Sequence, residues 1–332
     1  MRNEVDMHHV NKNSPISSAI KTIISAVILS FAVFSFTPYA AAQAFSQLNG
    51  AAPSVDLGQI PAPGNATVFT AAPGLNVYFI SVGQGDSEYI ELPNGQNVLI
   101  DGGPDSSETG ALAQFLAQKK VTEINHVVLT HPHADHYKGL QYVFSHVKVD
   151  NFYDNRIDNT GTTADNTLRA QAKDLGVNLV YPAAGDMLSW GPGGVAAKVF
   201  NSCPEASTSG IGNVINNCSI VIKLAYQNSS MLFVGDAQAE TEAKMVAQFG
   251  SELKADVLKV GHHGSAYSST EPFLEAVQPK EAFIEVGKNN YGHPTQSSMD
   301  RIIAIGAKVI RTDMAGTQEV TVGGAKDEAN QD

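Results

Sequence analysis

From residue 75 onward the chain falls into short apolar runs separated by turn residues. LNVYFISV (75–82), SEYIEL (87–92) and QNVLID (96–101) have strand length, and GQGD and PNG interrupt them, which predicts a β-meander. ETGALAQFLAQKK (108–120) has helical spacing. INHVVLT (124–130) reads as a buried strand, and YKGLQYVFSHV a few residues later as a helix. VNLVYP (177–182), VAAKVFN (195–201), SIVIKLAYQ (219–227), SSMLFVGDA (229–237), EAFIEVG (281–287) and AKVIRTD (307–313) are further strands. DVLKVGHHGS (256–265) is a strand that ends at a histidine pair. AETEAKMVAQF, PFLEAVQPK and SMDRIIAIG have helical patterns between them. Strands in two groups with intervening helices predict one α/β domain of two facing sheets with helices outside, and a site at the shared rim.

The ends of the chain read differently. Arg2, Lys12 and Lys21 precede an apolar run, TIISAVILSFAVFSF, and then TPYAAAQA with small residues at Ala42 and Ala44. The run is short for a bilayer span, which needs ~20 residues. Residues 1–44 are therefore expected to be a secretory signal cut after Ala44, leaving an exported protein, periplasmic or extracellular, with no stable membrane association. Residues 45–73 lack an apolar period and read as a linker or extended arm, 74–324 as the domain, and 325–332 as a disordered tail.

The chain has 332 residues, 43% of them hydrophobic, enough for a large core. Its net charge of −12 repels polyanions at long range and counts against tight, metal-free nucleic-acid binding. A small anionic substrate, or a nucleic acid held through metal ions, stays compatible with it. Cys203 and Cys218 are the two cysteines, and an oxidising compartment favours a disulfide between them. A metal thiolate at Cys218 is the alternative. Nothing in the pattern fixes an oligomeric state.

Candidate chemistry concentrates at strand ends. THPHADHYKGL (130–140) holds His131, His133, Asp135 and His136, a liganding spacing. His131 and His133 alternate on an extended turn and can face one ion, while Asp135 and His136 begin a helix and can face a second. The helix N-terminus favours an anionic Asp135. Asp236 ends LFVGD and can bridge two metals, or simply cap the next helix. Asp101 ends LIDGG and can orient a ligand histidine. His262 and His263 follow one strand and His293 another, whereas His126 and His146 read as structural. Six of ten histidines thus lie in strand-end clusters.

These stretches resemble a known family. FISVGQGDS, LIDGGP, THPHADHYKGL, the NNCS segment, LFVGDA, LKVGHHGS, VGKNNYGHP and VIRTD occur in the order seen in metallo-β-lactamase-fold hydrolases. They are most similar to the hydrolase domain of ComEC-type competence proteins and its free-standing relatives. The resemblance implies a four-layer αβ/βα sandwich with two divalent metal ions, zinc or manganese. It assigns His131 and His133 to the first ion, Asp135, His136 and His293 to the second, and Asp236 between them. His263 matches the histidine beside the scissile phosphate. One departure stands out. INNCSIV carries Asn217 or Cys218 where most members place a histidine, which makes the first site poorer in nitrogen and shifts preference toward manganese. The implied activity is phosphodiesterase or nuclease, with hydroxide as nucleophile and Asp135, Asp236 and His263 in the catalytic machinery. Ser265, Lys288 and Asn290 are candidates to contact an anionic substrate, and Asn217 and His262 to support the metals. Lactone, β-lactam or ester hydrolysis is the alternative, and a non-catalytic metal-binding protein a third.

Overall fold

The computed structural model describes residues 74–205 and 208–323. The expected signal segment, the 45–73 arm and the C-terminal tail lie outside the described residues.

Two seven-stranded sheets dominate. The first runs in the order Gln318–Val322, Leu75–Phe79, Glu88–Glu91, Asn97–Ile100, Glu123–Leu129, Lys148–Asp154, Asn178–Val180. The second runs Lys308–Arg311, Glu281–Ile284, Val257–Lys259, Ser229–Phe233, Val221–Tyr226, Ala196–Asn201, Met187–Leu188. Each sheet is mixed: one end pairs antiparallel and the other parallel.

Strand alternation sorts side chains into layers. Leu75, Val77 and Phe79 face inward to meet Ile222, Leu224, Phe233 and Phe283 of the other sheet. Phe79 stacks on Phe283 with ring centroids 4.1 Å apart. Burying each such ring contributes ~1.5–3 kcal/mol. Tyr78, Ile80 and Leu99 face outward, under helices Ala111–Lys119, Ala134–His146 and Ala164–Asp174. On the far side, Leu258, Ala282 and Ile284 pack beneath helices Ala239–Phe249, Glu271–Val277 and Gln296–Ala304. The result is helix, sheet, sheet, helix, the four-layer sandwich.

Three of the longer elements escape the apolar pattern. Strand Lys148–Asp154 (KVDNFYD) is broken by polar residues. Helix Ala164–Asp174 buries Asp165 beside Leu168 and Ala172, and Arg169 compensates, 2.8 Å from Asp165 and 2.6 Å from Asp154. An ion network replaces part of its apolar stripe. Strand Gln318–Val322 is a sheet edge, half exposed, so its alternation is weak.

His126 is structural, as its place early in a strand suggests. It is buried between the sheets, its Nδ1 3.2 Å from the Tyr153 hydroxyl and its ring 5.8 Å from Trp190. Burial pushes its pKa from 6.5 down to about 4, with Asp150 opposing weakly. The unfolded chain takes up a proton near pH 6.5 that the folded protein refuses until about pH 4. Stability from this group is therefore intact above pH 6.5 and is lost as pH falls through that window. Melting temperature is expected to drop between those two pH values, and less steeply in His126→Gln. An equal slope in the variant would place the acid sensitivity elsewhere.

The parallel strands of each sheet end level with one another. Phe233, Lys259 and Phe283 are register partners, so Asp236, the His262–His263 pair and Glu285 emerge at one rim. Ile100 pairs with Val128, which brings Asp101 and His131 to the rim of the other sheet. The Ile220 N–H donates to the Thr130 carbonyl at 2.9 Å and ties the two rims together. Helix Ala134–His146 approaches so closely that Gly102 and Gly139 touch through backbone alone. The Gly102 N–H donates to His136 and the Gly139 N–H to Gly103, and a Cβ at either glycine would collide with the other's backbone.

Candidate metal centre

Asp236 is at the middle of the rim, buried, with its N–H donated to Ser219 Oγ at 3.0 Å. Its two carboxylate oxygens face two different groups. Oδ2 lies 3.6 Å from His131 Nε2 and 3.5 Å from His262 Nε2. Oδ1 lies 3.4 Å from His136 Nε2 and 3.7 Å from His263 Nε2. His131, His133 and Asp236 converge within the reach of one ion, and so do Asp135, His136 and His263.

The imidazoles are held from behind. His136 Nδ1 is 2.7 Å from Asp101 Oδ2, and Asp101 is itself fixed by the Thr130 N–H at 2.8 Å and the Thr130 hydroxyl at 2.6 Å. His263 Nδ1 is 2.9 Å from the Glu285 carbonyl and 3.1 Å from Asp86 Oδ1. His131 Nδ1 is 3.1 Å from Thr130 Oγ1. An acceptor behind Nδ1 fixes the tautomer and leaves Nε2 with its lone pair forward. His136 Nε2, His263 Nε2 and Asp236 Oδ1 are buried and have no hydrogen-bond partner. Orphaned acceptors of this kind are costly to bury, and a cation between them would satisfy them. The residues fit divalent metal, with mixed imidazole and carboxylate donors.

The electrostatics agree. Burial opposes charge on His136, yet Asp236 and Asp101 outweigh it and raise its pKa well above the ordinary value. Burial likewise opposes charge on His263, and Asp236 and Asp86 raise it to about 10. His131, by contrast, is held well below its ordinary value by burial and by the neighbouring His136. Carboxylates exceed fixed cations at this rim, so the site attracts positive charge.

The structure brings His263, rather than His293, together with Asp135 and His136. His263 joins Asp135 and His136, its Nε2 3.4 Å from Asp135 Oδ2. His293 stays outside that group, at the wall of a cleft of about 320 Å³, with its ring 6.4 Å from that of His263 and 5.3 Å from that of His262. Burial and the neighbouring His262 and His263 depress its pKa to about 4. The two are hard to separate by sequence because each follows a strand end.

Other candidates turn away from the cleft. Asn217 accepts the Gln238 N–H at 3.2 Å and the Thr241 hydroxyl at 3.1 Å, supporting the start of helix Ala239–Phe249. Its neighbour Asn216 lines the cleft instead. Cys218 is joined to Cys203, which excludes the thiolate alternative in this structure. Ser265 is buried and its hydroxyl accepts the Tyr267 N–H at 3.2 Å. Lys288 and Asn290 are exposed and do not line the cleft. Asn289, between them, builds the loop by bonding Gly287, Tyr291 and His293.

The sequence reading missed a buried charge cluster under the site. Lys259, fully buried, pairs with Asp86, and Asp86, Glu88 and Glu285 converge around it. Burial, then the Asp86 charge, pushes Glu285 up to about 7, and burial with Glu285 raises Glu88 well above its ordinary value. The signal was present as charged residues inside apolar runs, GQGDSEYIEL, VLKVG and FIEVG.

Residues 80–200 match the family model described as the metallo-beta-lactamase superfamily. ComE operon protein 3 of Bacillus subtilis (strain 168) is 32% identical over 259 residues, 73% of this chain and 32% of that protein. Competence protein ComA of Neisseria gonorrhoeae is 28% identical over 244 residues, 73% of this chain and 31% of that protein. The chain thus spans about a third of the length of the curated relatives it matches. Among solved structures, Tm1679, a metal-dependent hydrolase of the beta-lactamase superfamily, is alike in fold, with a TM-score of 0.50 at 10% identity over 75% of this chain and 99% of that one. The His-x-His-x-Asp-His segment at a shared rim, the facing mixed sheets and these relatives agree, and the chain belongs to the metallo-β-lactamase superfamily, on the branch of the ComEC-type competence-protein domains.

Proposed function

We propose that the protein is an exported hydrolase of phosphodiesters that uses two divalent ions. The observation that carries this reading is the division of Asp236, with one oxygen toward His131 and His262 and the other toward His136 and His263. Divalent ions in that position supply a nucleophile from water at neutral pH and offset charge on phosphoryl oxygens. Around them, the chain's residues select and orient substrate. Gln84, Asn216, Tyr291 and His293 line the cleft beside the ligand groups. Such a wall, rich in hydrogen-bonding groups, suits an anionic phosphoryl group better than an apolar acyl chain. His293 stands where a phosphate or a leaving oxygen can meet an imidazole, the role first given to His263. One relative is named for competence and another is Recombination protein 2 of Haemophilus influenzae, which favours a nucleic-acid strand as substrate. The net charge of −12 gives such a strand no long-range attraction, so its hold on the protein runs through the metals. The Cys203–Cys218 disulfide supports an oxidising compartment, and no helix among the described residues is long and apolar enough to cross a membrane.

The test is a panel with and without chelator: a chromogenic phosphodiester, single- and double-stranded DNA, a lactone and a chromogenic cephalosporin. Phosphodiester turnover that chelator abolishes and added zinc or manganese restores is the expected result. Turnover of the lactone or lactam alone would replace this reading with acyl hydrolysis.

A further inference from the structure

We infer that His262 is the third imidazole of the first metal site and replaces the histidine that INNCSIV lacks. This inference rests on the two-metal reading above and deepens it. The segment at 215–220 offers no imidazole: Cys218 is in a disulfide, Asn217 is turned to the Gln238 N–H and the Thr241 hydroxyl, and Asn216, which lines the cleft, brings only an amide oxygen. The gap is filled from another strand. His262 Nε2 lies 3.5 Å from Asp236 Oδ2, the same oxygen that His131 Nε2 approaches at 3.6 Å. Its Nδ1 lies 3.2 Å from the Gln238 amide nitrogen, which also lies 3.3 Å from Asn213 Oδ1. A half-turn of that amide, which exchanges its nitrogen and oxygen, would let Nδ1 donate and leave the Nε2 lone pair pointing at the site, as Asp101 arranges for His136 and the Glu285 carbonyl for His263.

The backbone shows why two neighbouring residues can serve two ions. His262 and His263 both adopt left-handed conformations, with φ of 49° and 53°. Each is disfavoured for a residue with a Cβ. In an extended strand consecutive side chains point to opposite faces. Here the left-handed pair sends one ring to Asp236 Oδ2 and the next to Oδ1. Strain of this kind persists where the surroundings impose it and is concentrated at functional sites. Gly264 follows with φ of 81°, in a position where a Cβ would press on Pro294. The first site then offers His131, His133, His262 and Asp236. Three imidazoles and a carboxylate suit zinc, so the expected shift toward manganese does not follow.

The experiment uses the full chain and zinc, manganese and cobalt(II) as probes. Bound metal is counted after dialysis, affinities are titrated, and the cobalt d–d absorption is recorded for wild type, His262→Ala, His262→Asn and His293→Ala. Asparagine tolerates the left-handed backbone, so His262→Asn guards against a folding defect. Loss of a partner that merely orients a ligand costs ~10–100-fold in affinity. Loss of His262 itself is expected to weaken one of two ions at least about 100-fold. It should also lower the cobalt band and leave the affinity of the other ion unchanged, whereas His293→Ala should bind both ions as wild type does. Two ions bound with wild-type affinity and an unaltered cobalt band in both His262 variants would overturn the inference and leave the two-metal reading standing. A wild-type protein that binds no divalent ion would remove both.

Discussion

Asp236→Ala is expected to abolish turnover and to lower bound metal at both positions together. Among the described residues no other carboxylate reaches both groups: Asp135 approaches His136 and His263, and Asp86 lies behind them. The shared side chain fixes the distance between the two groups as well as their charge. Metal stabilisation of transition-state charge is worth several kcal/mol, and 1.36 kcal/mol is tenfold in rate, so the loss should be about 10³-fold or more. Asp236→Asn keeps the shape and the backbone hydrogen bond to Ser219, and separates a loss of charge from a loss of fold. The measurement is rate and metal content side by side. A variant that keeps both ions and falls less than tenfold would show that Asp236 supports the rim without joining the chemistry.

Lys259→Met is expected to produce the largest loss of stability. The ammonium is fully buried and pairs with Asp86, with its remaining reach toward the Gly235 carbonyl at 3.3 Å. Burial disfavours its charge, but Asp86 and Glu88 outweigh that and raise its pKa. Methionine fills similar space and removes the ammonium that Asp86, Glu88 and Glu285 surround. Breaking one partner out of a buried pair costs ~3–5 kcal/mol. For a domain of this size that corresponds to a fall in Tm of very roughly 6–20 °C. Adding Asp86→Leu should recover part of the stability and none of the activity, because Asp86 also holds His263 at 3.1 Å. A single variant that melts with wild type would mean that Glu88 and Glu285 neutralise Asp86 by sharing protons with it.

Fold and site differed in how well they could be read from sequence. The apolar runs at 75–82, 96–101 and 229–237 mark strands because two-sided burial demands continuous apolar surface there. The fold and the family follow from these runs and the motifs between them. Segments stabilised by ion networks, such as Ala164–Asp174, have no such signature. At the site, the spacing within 131–136 is local and hence legible. The choice between His263 and His293 is not local, since it depends on how the left-handed pair aims two rings. The Lys259 cluster was hidden for the same reason: a lysine at a strand end reads as solvated until the carboxylates that meet it, Asp86 and Glu285, are brought in from distant strands.

The two rims belong to different halves of the chain. His131, His133, Asp135 and His136 come from the first sheet, and Asp236, His262 and His263 from the second. A cation gripped by both is a rivet through the open edge of the sandwich. At a free concentration a hundred times its Kd, each such ion adds ~2.7 kcal/mol to the resistance of the fold against coming apart. The durability of the fold would then track the divalent-ion content of its surroundings, whatever substrate the site takes.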